Sequence, residues 1–140
     1  MKRILVFISL LITGLLLFSQ QVRIKDQYGD KIYFVNGNTI HQRDIYGDKL
    51  YYFDGRTIYR KDIYGQKLFY LDGLTVRNKD VYGDKLYYFD DKTIRSEDIY
   101  GDKLYYIDNN TLRHKDRYGN KIIWFESIPE KWVIVCIINY

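Results

Sequence analysis

A chain of 140 residues with 22 basic and 18 acidic side chains, 16 tyrosines and one proline has the size of a single domain. Its formal charge of +4 falls to +2 without the first twenty residues, which hold two of the bases and none of the acids. A charge that small, with both signs interleaved, excludes the electrostatic footprint of a nucleic-acid binder.

Residues 1–20 differ from everything after them. Lys2 and Arg3 precede an uncharged run from Ile4 to Phe18, and the small and polar Ser19, Gln20 and Gln21 follow. This three-part layout predicts a secretory signal peptide cut near Ser19 or Gln20, and so a secreted or periplasmic protein. The apolar run is shorter than the roughly 20 residues a membrane span needs. An uncleaved N-terminal anchor is the alternative, and it is the one membrane contact the sequence offers.

Residues 21–126 are six and a half copies of an 18-residue unit. The copies begin at Tyr28, Tyr46, Tyr64, Tyr82, Tyr100 and Tyr118, and Val22–Gln27 is the back half of a truncated one. Each copy holds an aromatic-rich run such as Lys49–Phe53 and a second run with a β-branched start, such as Thr57–Lys61. Asp-Gly or its equivalent separates the two runs, and Tyr-Gly separates one copy from the next; both are turn signals. Glycine-bearing turns at this spacing exclude helix and predict an all-β array of antiparallel hairpins. A closed, flower- or toroid-like ring and an open stack of hairpins both fit the pattern.

A two-residue loop at Gly55–Arg56 predicts that Phe53 faces Ile58, Tyr52 faces Tyr59 and Lys49 faces Asp62. A second two-residue loop at Tyr64–Gly65 would set Asp62 opposite Lys67. Lysine would then meet aspartate at both turns, in a ladder that penalises slipped registers. The period of two puts Tyr51, Phe53 and Ile58 on one face and Leu50, Tyr52 and Tyr59 on the other. The Tyr of each Tyr-Gly never varies, and the expectation is that it packs on the neighbouring hairpin.

Residues 127–140 break the pattern. Trp132–Ile138 carries no charge and is read as a capping or closing strand, buried because an open apolar edge invites aggregation. Cys136 lies inside this run without an intrachain partner, which favours a buried thiol over an intermolecular disulfide.

The alternation of YGDKLYYFDG and TIYRKD after a signal-like segment resembles the β-flower hairpin-repeat domains of secreted bacterial proteins. The resemblance implies short hairpins set around a pseudo-symmetry axis, and it carries over no functional residue. A looser similarity, through Tyr51–Tyr52, Tyr87–Tyr88 and Tyr105–Tyr106, is to aromatic hairpin repeats that bind choline or sugars in cell-wall and glucan-binding modules. Those repeats have tryptophans that are missing here.

No residues form a catalytic constellation: His41 and His114 occupy different repeat positions, and Ser96 and Ser127 lack a base. The reading is therefore not an enzyme, with no cofactor and no metal. The pairs Asp44/Asp48, Asp80/Asp84 and Asp98/Asp102 flank Tyr-Gly turns, but a lysine follows the second member each time and Gln66 replaces it in the third copy, which suits turn capping better than calcium. The candidate ligand-binding residues form a stripe of cross-strand partners: Tyr52 with Tyr59, Tyr70 with Arg77, Tyr88 with Arg95, and Tyr106 with Arg113. Phe34 with His41 continues it. Such pairs can stack a ring or cover each other as a self-satisfied ladder. The expected function is a structural or interaction scaffold for a protein or cell-envelope component. Carbohydrate binding through the stripe is the alternative, and nucleic acid is not an expected partner.

Overall fold

The computed structural model describes residues 19–140; the segment expected to be a signal peptide, residues 1–20, lies outside the described residues except for its last two positions. Twelve short strands follow one another among the described residues. They are β1 (Ser19–Ile24), β2 (Lys31–Asn36), β3 (Thr39–Gln42), β4 (Lys49–Phe53), β5 (Thr57–Arg60) and β6 (Lys67–Asp72). The rest are β7 (Thr75–Asn78), β8 (Lys85–Asp90), β9 (Thr93–Ser96), β10 (Lys103–Asp108), β11 (Thr111–His114) and β12 (Lys121–Phe125). One helix, α1 (Lys131–Ile138), follows.

Each strand pairs antiparallel with its neighbours in sequence, and β1 pairs with β12, so the sheet closes into a barrel. The ring, not the open stack, is the arrangement found. Its seam joins the two broken copies. Val22 stands opposite Phe125, the pairing that Ile58 and Phe53 make inside one copy. The leading half-copy and the trailing half-copy thus build a sixth hairpin from the two ends of the array. Neither half could leave its edge open without exposing a row of unpaired N–H and C=O groups.

The tight turns give the expected register: Tyr52 faces Tyr59 and Phe53 faces Ile58. The Tyr-Gly turns do not. Ile58 faces Phe69 and Tyr59 faces Lys67, with a register shift between them that recurs in every copy. The loop is longer than two residues because Lys61 adopts a left-handed φ of 69° and Asp62 folds the chain over. Asp62 Oδ1 accepts the Tyr64 N–H at 2.9 Å, and Gly65 N–H donates to the Asp62 carbonyl at 2.9 Å. Asp62 is therefore a turn cap and not the opposite number of a lysine. The ion pairs among the described residues join arginine to aspartate (Arg77–Asp72, Arg95–Asp90, Arg113–Asp108), so the lysine–aspartate ladder is not formed.

Inside the barrel, side chains stack in rings. The middle ring is Val22, Ile40, Ile58, Val76, Ile94 and Leu112, each 0–1 % exposed. Val35, Phe53, Leu71, Phe89, Ile107 and Phe125 stand beside them toward the tight turns, and Tyr33, Tyr51, Phe69, Tyr87, Tyr105 and Ile123 toward the Tyr-Gly loops.

The space these rings enclose is filled by α1. The expected C-terminal strand is in fact this helix, and the reason is its surroundings: in the barrel it meets apolar side chains on every side and no free strand edge. A helix that is apolar all round satisfies its own backbone and buries every face. Trp132 to Ile137 are all buried. At about 1.5–3 kcal/mol per large side chain this burial contributes on the order of 10 kcal/mol. That matches the whole net stability of a small domain, ~5–15 kcal/mol. The helix runs along the barrel axis. Trp132 stacks on Phe53 near the tight turns, and beyond its last turn Asn139 meets Tyr87 and Tyr140 meets Tyr33. Cys136 is fully buried, and burial pushes its thiol well above its ordinary pKa.

Candidate functional site

Two surfaces remain once the interior is assigned. The first is the stripe. Its pairs all form: Phe34 with His41, Tyr52 with Tyr59, Tyr70 with Arg77, Tyr88 with Arg95, and Tyr106 with Arg113. Because they alternate with the buried positions they lie on the outer wall, and the seam adds a sixth pair, Arg23 with Trp124. The stripe is thus a girdle that runs once around the barrel. Tyr52, Tyr59, Tyr70, Arg77, Tyr88, Arg95, Tyr106 and Arg113 are all half-buried.

The girdle's arginine tips are mostly occupied; the buried Arg113 Nε is the exception, with Asp108 3.6 Å away and no hydrogen-bond partner. Arg95 Nε donates to Asp90 at 3.0 Å and its Nη1 to the Gly101 carbonyl at 3.1 Å. Arg77 repeats this with Asp72 and Gly83, and Arg113 Nη1 donates to Gly119. In the second copy Tyr59 stands where the others have arginine, and its hydroxyl donates to Asp54 at 3.2 Å. Burial alone would raise Asp54, but the N–H groups of Thr57 and Arg56, the Tyr59 hydroxyl and nearby Lys67 hold it below the usual carboxylate range. Among the described residues the cation–π contacts are Arg117 with Tyr118 and Lys131 with Phe89; the girdle arginines make none. Tyr52 and Tyr59 are tilted by 44° to each other. The girdle arginines are spent on strand ends and loop carbonyls, where they tie each tight turn to the next Tyr-Gly loop.

The second surface is the rim formed by the six Tyr-Gly loops. Tyr28, Tyr46, Tyr64, Tyr82, Tyr100 and Tyr118 are 81–94 % exposed, so the expectation that they pack on the neighbouring hairpin is corrected. Around four of them Ile45, Ile63, Val81 and Ile99 are about half exposed as well. The loops beneath are held firmly. A Cβ on Gly65 would lie 1.6 Å from the Arg60 carbonyl oxygen, so glycine is obligatory there. The Asp cap is equally fixed: Tyr46, Tyr82 and Tyr100 N–H groups donate to Asp44, Asp80 and Asp98 at 2.9–3.0 Å. The fold therefore explains why Asp and Gly recur in every loop. It gives no reason for the tyrosine between them.

In the sequence this tyrosine never varies among the copies, and a packing role is the expectation that follows. Its exposure is not legible in the sequence, and it is the exposure that turns an unvarying residue with no folding role into a functional signal. Shallow clefts lie between adjacent loops. One of about 410 Å³ is lined by Lys25, Asp26, Gln27, Tyr28, Thr111, Lys121 and Trp124. Among the described residues no group of three His, Cys, Asp or Glu side chains is gathered for a metal, and no helix is long and apolar enough to cross a membrane.

No protein-family model, no curated protein and no solved structure matches the chain. What defines its class is the architecture itself: tandem hairpin repeats closed into an antiparallel barrel around a C-terminal helix.

Proposed function

We propose that this protein is an exported, non-enzymatic interaction module of β-flower-like design, and that its working face is the tyrosine crown. The observation that carries the reading is the solvent exposure of six identical tyrosines on capped, glycine-locked loops at one end of a rigid barrel. Tyrosine supplies a large amphipathic contact area at low conformational cost, and a rigid scaffold removes most of the ordering penalty of binding. Chain direction adds to this. β1 runs from Ser19 at the tight-turn end to Ile24 at the crown end. An N-terminal segment that stayed in a membrane would then leave the barrel opposite the crown, which faces outward. The carbohydrate-binding girdle is the second reading, favoured by the closure of its six pairs into a continuous belt.

Tyrosine iodination followed by peptide mass spectrometry tests the first reading. In dilute purified protein the crown tyrosines react fully. In the native compartment they are protected, while Tyr70, Tyr88 and Tyr106 keep one reactivity in both settings. Equal labelling of the crown in cell and solution would remove the crown as a docking face, and protection confined to the girdle would favour the glycan reading.

A further inference from the structure

Deepening the glycan reading of the girdle, on which it rests, we infer that the seam of the barrel binds an acidic polysaccharide, a chain of sugar rings that carry carboxylates. One outward row crosses four strands there. Lys31 stands opposite Arg23, Arg23 opposite Trp124, and Trp124 opposite Thr111. At ~4.8 Å per strand the row spans about 14 Å. Its aromatic place is filled by phenylalanine or tyrosine in every other copy and by the broader indole of Trp124 here. Trp124 is half-buried on the outer wall, whereas Trp132 lies in the core.

Arg23 differs from the other girdle arginines in what holds it. Its Nη1 donates to the Gly29 carbonyl at 3.0 Å, as Arg77, Arg95 and Arg113 donate to Gly83, Gly101 and Gly119. Those three also lie 3.0–3.6 Å from the aspartate five residues earlier. Phe18 occupies that place before Arg23, and among the described residues no carboxylate pairs with it. The seam therefore holds a positioned guanidinium whose charge is unanswered, beside the widest ring of the girdle.

Two clefts open along this row and share Tyr28. The first, about 630 Å³, sets Arg23, Lys31 and Arg43 against Asp30. The second, about 410 Å³, sets Lys25 and Lys121 against Asp26, with Trp124 in its wall. Asp26 is also the cap of its loop, its Oδ1 accepting the Tyr28 N–H at 2.9 Å. Over both linings five cations meet two carboxylates, a net of +3 where residues 21–140 together carry +2. The excess stops at Arg43, since the next cleft sets Asp44 and Asp48 against that arginine alone. Across the barrel the fifth loop has Glu97, Asp98 and Asp102 against Lys103.

Both clefts have the size of ligand sites. The cations call for an anion, and the row selects which. A carboxylate matches the guanidinium fork, and the apolar face of a sugar ring packs on indole. A bilayer is flat and meets the rim end-on, not a row that bends around the wall. Nucleic acid calls for a longer basic track than one sector of the wall supplies.

Isothermal titration calorimetry of the chain expressed from Met1, in its processed form, tests this. The probes are a galacturonic acid oligomer, neutral dextran and a single-stranded oligonucleotide. The parent binds the galacturonate, more weakly as salt rises, and leaves the dextran unbound. Lys31→Gln with Arg43→Gln keeps the parent melting temperature and lowers the affinity about tenfold or more, as the loss of two charge-assisted hydrogen bonds predicts. Trp124→Ala lowers it severalfold, and Trp124→Phe less. Lys85→Gln with Lys103→Gln removes the same charge elsewhere and leaves the affinity unchanged. A parent that does not bind galacturonate overturns the inference. So does equal weakening by the Lys85 and Lys103 pair, which marks attraction by net charge. Tighter binding of the oligonucleotide overturns the polysaccharide as occupant, and indifference to both Trp124 variants overturns stacking on the indole. Dextran bound as tightly as the acid removes the anionic site and keeps the girdle as a neutral-glycan surface. Binding of neither glycan removes both.

Discussion

The indole of Trp132 lies flat on the ring of Phe53, with centroids 5.1 Å apart and planes 13° apart. The contact joins the first turn of α1 to the wall of the barrel at its tight-turn end. The Trp132 Nε1–H donates to Glu130 at 3.0 Å, so the ring is held at both its face and its edge. Trp132→Ala opens a cavity the rigid strands cannot close. It is expected to cost about 3–5 kcal/mol, whereas Trp132→Phe keeps the stacking and costs far less. Chemical denaturation of both variants checks this. Equal, small losses would mean that α1 is a passenger and not the core of the barrel.

The fate of residues 127–140 shows where sequence and structure part. The repeat, the all-β class, the tight-turn register and the cross-strand partners of the stripe are legible, because they rest on a period of two and on turn chemistry. Trp132–Ile138 has no such pattern. A run that is apolar throughout has no periodicity to separate helix from strand, and its β-branched residues argue for strand. Only the closed barrel, which offers an apolar axis and no free edge, decides for helix. The Tyr-Gly loop is hidden for a different reason. Its shape depends on Lys61 taking a left-handed φ of 69°, which is uncommon outside glycine, asparagine and aspartate. The crown was legible as an unvarying tyrosine but not as a surface, because exposure follows from the longer loop.

Gly65 and Gly73 look alike in sequence and differ in what surrounds them. A Cβ at Gly65 meets the Arg60 carbonyl oxygen at 1.6 Å, but one at Gly73 meets nothing within 4 Å. Gly73 has φ +61°, and the corresponding residue of the fifth copy, Asn109, holds φ 55° without glycine. Gly65→Ala is expected to destabilise by more than about 1 kcal/mol, because the clash is with backbone. Gly73→Asn is expected to stay within about 0.5 kcal/mol, the range of ordinary surface changes. Paired thermal melts check the contrast. A mild Gly65→Ala would show that the Tyr-Gly loop yields, and the crown would lose its rigid base.

Alkaline pH acts on the inner tyrosines. Burial, followed by the neighbouring Cys136, pushes Tyr51 up to about 12, with Arg60 opposing. Burial, followed by Tyr140 and Tyr51, raises Tyr33 further still. A phenol whose folded pKa lies above its unfolded value near 10 favours the folded state while it is neutral. Its contribution is complete below pH ~10 and is lost as pH climbs from there through 12. The barrel is expected to unfold in that window. Tyr51→Phe and Tyr33→Phe together should move the alkaline midpoint upward, as followed by circular dichroism. An unmoved midpoint would assign alkaline unfolding to other groups.

Removal of one whole copy, residues 64–81, tests closure. In an open stack the loss is local, because each repeat touches only its neighbours. Here β5 would have to pair with β8, which the repeat itself permits, since each copy presents the same edge to the next. The cost lies at the axis. Ten strands must close around the same α1, whose width with side chains is about 10–12 Å. The narrower ring leaves no room for Trp132 and Phe53 to stack, while removal of α1 by truncation after Ser127 leaves twelve strands around a void. Both deletions should therefore abolish the cooperative monomeric melt. The copy deletion is expected to form larger closed rings from two chains, which restores an even count of hairpins at greater circumference. Size-exclusion chromatography with light scattering separates these outcomes. A monomeric, cooperatively melting ten-strand chain would show that hairpin pairing, and not the fit around α1, sets the number of copies.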